Sequence, residues 1–230
     1  MSRLQLALAL LQQDARPREL AGMTRFGINP EGRLGLSMPA MRRIAQTLGR
    51  DHELALALWD TGIPDARIVA GMVAEPTKLT SPQMDAWAKD FSSWDVCDQV
   101  CGHAFLASPL AWRKVPEWAV HTKDFVRRAA FALLATLAVH DNRAVDERFV
   151  MMLALIEDAA GDERNFVKKA VNWALRNIGK RNLALNAAAI EAARRIQRQG
   201  SRSARWIAAD ALRELSSEAV QARLRERAGS

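Results

Sequence analysis

Phe125-Val126-Arg127-Arg128-Ala129 returns about 40 residues later as Phe166-Val167-Lys168-Lys169-Ala170. Each copy opens on an aromatic ring, continues with two adjacent cations, and closes on small and apolar residues at helical spacing. Ser203-Ala204-Arg205-Trp206 extends the series after a similar interval, and Asp65-Ala66-Arg67-Ile68 is a weaker earlier copy. A repeat of this length holding two helices is the pattern of HEAT-like solenoids: each unit buries one face against its neighbours, and the second helices line one surface. The expected fold is all-α, a superhelix of HEAT-like helical repeats with a concave basic groove. A single domain is expected over 1–230, irregular at 25–37 and repetitive over about 38–227.

The rest of the chain agrees. No tyrosine occurs, β-branched clusters are few, and no hairpin dipeptide divides alternating runs. Helix punctuation is dense: Ser81-Pro82 and Ser108-Pro109 read as N-caps before a first-turn proline; Met38-Pro39, Ile63-Pro64 and Asp162 as further starts; Gly49, Gly179 and Gly200 as stops. The spacing predicts helices over 2–13, 16–24, 38–48, 51–60, 64–75, 81–91, 94–106, 109–121, 124–139, 144–159, 163–179, 184–199, 201–214 and 216–227. Gly27, Pro30, Gly32 and Gly35 make 25–37 the irregular stretch.

Composition narrows the function. Of 230 residues 49% are apolar and 26% charged, ordinary for a folded chain. A net charge of +7 favours a polyanionic partner, nucleic acid before an anionic membrane. Leu4 to Leu11 is too short for a signal peptide and lacks a cleavage site, and no apolar run reaches the ~18 residues of a membrane span. A cytoplasmic monomer is expected. Cys97 and Cys101 lie four apart with no second pair, and His103 is poorly placed to help them hold zinc, so both read as buried, reduced cysteines. No P-loop or dinucleotide fingerprint occurs; neither metal nor cofactor is expected.

Trp94-Asp95-Val96-Cys97-Asp98 is an acidic, aromatic pentapeptide in this basic chain. On a helix Trp94 and Asp98 share one face at i and i+4. An acid beside an indole suits an anionic partner that carries or develops local positive charge, such as DNA holding a cationic damaged base. Laying the repeats over one another puts Arg128 and Lys169 at the same place, with Trp173 four residues beyond Lys169. Arg127, Lys168, Lys169, Arg176, Lys180 and Arg181 surround them as candidate phosphate contacts. Trp59, Trp87, Trp112, Trp118 and Trp206 read as core. Asp95 points away from the Trp94–Asp98 face and reads as helix support.

These segments, with Val171-Asn172-Trp173-Ala174-Leu175-Arg176 after the second copy, resemble the AlkD-type DNA alkylation repair proteins, HEAT-like bacterial DNA glycosylases, from about Met23 to Arg213. The resemblance implies Asp98 as catalytic aspartate, Trp94 and Trp173 as active-site tryptophans, and Arg128 as the active-site arginine that contacts DNA. It implies double-stranded DNA containing N3- or N7-alkylated purines as substrate, handled without a base-binding pocket. Met23-Thr24-Arg25-Phe26 looks like the family segment whose tyrosine faces DNA, which places Arg25 and Phe26 at the DNA; Phe26 keeps the ring without the hydroxyl. Ser93 stands where some relatives carry another tryptophan. Two other readings compete: a non-catalytic HEAT protein that binds branched or distorted DNA, and a HEAT scaffold for protein or RNA.

Overall fold

A computed structural model describes residues 1–229. It contains fourteen α-helices and, among the described residues, no strand. The chain divides into two compact units, Met1–Ala111 and Trp112 onward.

The first unit holds α1 (Arg3–Gln13), α2 (Leu20–Met23), α3 (Met38–Leu48), α4 (His52–Asp60), α5 (Pro64–Val73), α6 (Ser81–Asp90) and α7 (Trp94–Val100). Ser2, Ser37 and Asp51 cap α1, α3 and α4 by accepting a backbone N–H from the first turn. The expected helix over 16–24 is broken: 3₁₀ turns at Pro17–Glu19 and Thr24–Phe26 flank the four-residue α2. The N-cap of α6 is Thr80 rather than Ser81, because the Thr80 hydroxyl reaches the Gln83 N–H. Trp59 and Trp87 stack at 4.1 Å between centroids with planes 5° apart, and the Trp59 indole donates to Asp90 at 3.0 Å. Close approach, not turn geometry, selects Gly71: a Cβ there would stand 3.1 Å from a Val100 methyl, so α5 and α7 pack nearly backbone to backbone.

The second unit holds α8 (Ala111–Ala119), α9 (Asp124–His140), α10 (Asp146–Ala159), α11 (Asn165–Gly179), α12 (Leu183–Gln197), α13 (Arg202–Leu215) and α14 (Glu218–Ala228). Two expected starts move. Ser108 closes a turn by accepting the Leu110 N–H at 3.2 Å, and α8 begins after it. Asp162 accepts from the Arg164 backbone at 3.0 Å, ahead of α11.

The repeat is visible as contacts. The matching rings Phe125 and Phe166 stack 5.4 Å apart. Arg128 Nη1 donates to the Phe166 carbonyl at 2.7 Å, Asn177 Nδ2 to that of Ala135 at 3.1 Å, and Arg181 Nη1 to that of Ala138 at 2.7 Å. These bonds advance together along α9 and α11, so the two helices run parallel. From α11 to α13 the pairing is Lys168 with Trp206, Asn172 with Asp210 and Arg176 with Glu214, a constant offset of 38 residues. α9, α11 and α13 are thus the second helices of successive pairs, and α10 packs on α12 behind them. From Ala129 to Ala138 α9 is apolar but for Thr136, and every residue of that stretch is buried. Each large side chain buried there, such as Phe131 or Leu134, stabilises the unit by about 1.5–3 kcal/mol.

Candidate DNA-processing site

In the first unit α7 starts at Trp94 and carries Asp98 one turn on; both side chains are half-buried. The expected α-helix over 94–106 changes character after Val100: Cys101–Phe105 forms a π-helical turn in which the Leu106 N–H bonds the Cys101 carbonyl at 2.9 Å. Such turns widen a helix locally and are frequent next to functional residues. Cys97 and Cys101 are both buried, and neither is in a disulfide.

The Trp94 indole N–H donates to the main-chain carbonyl of Phe26 at 2.9 Å. This places the Phe26 segment against α7, while Phe26 is 72% exposed and Arg25 is exposed beside it. The segment after it is held by acids with no signal of their own in the sequence. Asp65, wholly buried, accepts the Leu34 and Leu36 N–H groups at 3.0 and 2.9 Å. Asp95 accepts from the buried Arg33 at 2.7 Å and from the Ser93 hydroxyl at 2.5 Å, while Arg33 Nε donates to the Asn29 carbonyl at 2.7 Å. Gly35 (φ +80°) passes against Arg16, where a Cβ would collide with the backbone carbonyl. Asp95 therefore organises the segment that carries Phe26, a larger role than helix support.

In the second unit Arg128 is buried and bound to the Phe166 carbonyl, and Trp173 is half-buried four residues after the exposed Lys169. Other cations expected to meet phosphates are engaged by the protein itself. Arg127 pairs with Asp162 at 3.0 Å. Arg176 pairs with Glu214 and, at 3.4 Å, with Asp210; Lys180 pairs with Glu214 at 2.7 Å. Arg181 caps the end of α9 and lies 4.2 Å from the Phe149 ring centroid. Lys168 sits over the Trp206 ring at 5.4 Å. Trp206 is 41% exposed, contrary to its expected place in the core, because its position on α13 faces that lysine rather than α12. Trp59, Trp87 and Trp118 are buried, and Trp112 is half-buried with its N–H on Asp141 at 2.8 Å.

The acids answering these cations are themselves tuned. Burial alone would raise the Asp162 carboxyl, but hydrogen bonds from Arg164 and the charges of Arg164 and Arg127 outweigh it and hold it below the ordinary range. Burial likewise acts to raise Glu214, and Lys180 with Arg176 pull it down. Asp210 and Glu214 could have been found in the sequence, since they lie one repeat offset beyond Asn172 and Arg176. Among the described residues no cluster of three or more His, Cys, Asp or Glu side chains could hold a metal ion.

Residues 7–215 match the family model described as "DNA alkylation repair enzyme". The chain belongs to this family. Among solved structures, this DNA alkylation repair family member is similar to one described as "A new family of proteins related to the HEAT-like repeat DNA glycosylases with affinity for branched DNA structures", with TM-score 0.79, 21% identity, and coverage of 96% of this chain and 95% of that one. At that identity the likeness establishes the HEAT-like fold. No curated protein matches the sequence. Among the described residues no helix is long and apolar enough to cross a membrane.

Proposed function

We propose that this protein is a monofunctional DNA glycosylase that releases cationic N3- and N7-alkylated purines, 3-methyladenine and 7-methylguanine, from duplex DNA. The observation that carries the reading is the Trp94–Asp98 pair on one turn of α7, with the Trp94 indole bonded to the Phe26 segment, in a DNA alkylation repair family chain. An alkylated purine already bears positive charge, so it departs with the electrons of the N-glycosidic bond and becomes neutral without general-acid help. Positive charge then gathers on the deoxyribose, where the Asp98 carboxylate stabilises it and orients the attacking water. Water's oxygen bonds C1′ and a proton is lost. Trp94 and Trp173 offer π faces to the sugar and the cationic nucleotide, and Arg128 with Lys168 and Lys169 meets the backbone. Such chemistry acts on the bond with the base left in the helix.

The test is incubation with methylated duplex DNA and chromatography of the released bases. Release of 7-methylguanine and 3-methyladenine supports the reading. The branched-DNA affinity of the structural relative favours a second one, a binder of branched DNA without base release. Tight binding of a four-way junction with no free base released would select it.

A further inference from the structure

At the end of the second unit where α9 and α11 finish, α14 closes a cavity of about 340 Å³. Lys180 and Arg181, Arg223 and Arg227, and the carboxamides of Asn142 and Asn182 line it, and no carboxylate does. Lys180 and Arg181 have local reasons to be there: cations suit the carbonyl ends of helices, and Arg181 donates to the carbonyls of Ala138 and Asp141. The acids nearest them are already engaged. Glu214 is held by Lys180 and Arg176, Asp141 accepts the Trp112 indole N–H, and Asp146 accepts from Asn182 at 2.8 Å. Burial draws the Arg181 pKa downward against the attraction of Asp146 and Asp141.

Of the two α14 arginines, Arg223 has no such explanation. Arg227 reaches the Lys180 carbonyl at 3.4 Å, and Arg223 is exposed with no protein partner among the described residues. At i and i+4 on one helix face they repel each other. Arg181, Arg223 and Arg227, with Lys180 shared with Glu214 and the Asn142 carboxamide beside them, gather around one concavity and form a receptor for an oxyanion.

We infer that this cavity binds a phosphate group, and that the group is a backbone phosphodiester of DNA. Lys168 and Lys180 lie about 18 Å apart along α11, at 1.5 Å per residue. That exceeds the ~12 Å width of the major groove, so the two ends of α11 can meet phosphates on opposite sides of it. Only the source of the phosphate rests on the proposed DNA function; the anion site stands on the cavity.

Two arms test it on the full chain, with Arg223→Gln, and Arg223→Gln with Arg227→Gln, checked for unchanged circular dichroism. In the first arm duplex DNA affinity is measured against salt. The double variant is expected to bind about fivefold more weakly, with the slope of log K against log salt reduced by about 1. In the second arm inorganic phosphate is compared with chloride at equal ionic strength, and the rise in melting temperature given by wild type is expected to vanish in the double variant. Unchanged DNA binding with a lost phosphate effect would assign the cavity to free phosphate and overturn the backbone assignment. No change in either arm would overturn the site. Wild-type protein that fails to bind duplex DNA would refute the proposed function instead, and the phosphate arm alone would then decide the cavity.

Discussion

The Trp94 indole N–H bonds the Phe26 carbonyl at 2.9 Å, joining residues 68 apart in sequence. Its effect is to fix, relative to α7, the segment that presents the exposed Phe26 ring. Trp94→Phe keeps an aromatic ring at the head of α7 and removes the indole donor. The bond is exposed, so the expected stability loss is about 1 kcal/mol or less. Hydrogen exchange of the 24–28 amides should quicken while global unfolding in urea barely moves. Unchanged local exchange would mean that the bond does not hold the segment.

Asp95 should behave quite differently from Asp98, three residues away. Asp95→Ala leaves the buried guanidinium of Arg33 without its carboxylate, and removing one partner of such a pair costs about 3 kcal/mol. Urea denaturation should show that loss, and Arg33→Met combined with Asp95→Ala should recover part of it. A loss below about 0.5 kcal/mol would place the pair among ordinary surface ion pairs.

Acid should weaken the second unit through Asp162 and Glu214. Their folded pKa values lie below the unfolded values near about 4, so their contribution is complete above that range and is lost as pH falls through the lower folded values. Melting temperature should therefore be insensitive to these groups between pH 7 and 5 and fall steeply below about pH 4. Asp162→Asn should lower stability at neutral pH and flatten the acid limb. An acid limb as steep as wild type would remove Asp162 from the linkage.

How legible these features were depended on the range of the signal. Helices announced by local chemistry fall where the sequence puts them: 38–48 matches the observed element residue for residue, since Ser37, Pro39 and Gly49 all act within one turn. Local signals also misled where two residues competed for one cap, as Thr80 and Ser81 do. The π-helical turn after Val100 has no local signature, and it falls beside the tight packing of Gly71 on Val100. The repeat foretold which side chains share a row, and the stacked pair Phe125–Phe166 realises it. It was silent on their state of charge. Arg127, Arg176 and Lys180 read as bare cations because Asp162, Asp210 and Glu214 lie 34 to 38 residues away in sequence, beyond any local window. Trp206 read as core for the same reason: its exposure is decided by Lys168, one repeat earlier.

The central claim is that the Asp98 carboxylate serves bond breaking and not binding. The direct measurement is single-turnover release of 7-methylguanine from methylated duplex DNA by wild type and Asp98→Asn, with DNA affinity measured in parallel. A neutral carboxamide of nearly the same shape should lower the rate by at least about 100-fold, the scale of losing one transition-state electrostatic contact, with affinity within about threefold of wild type. Release by Asp98→Asn at close to the wild-type rate would contradict the mechanism.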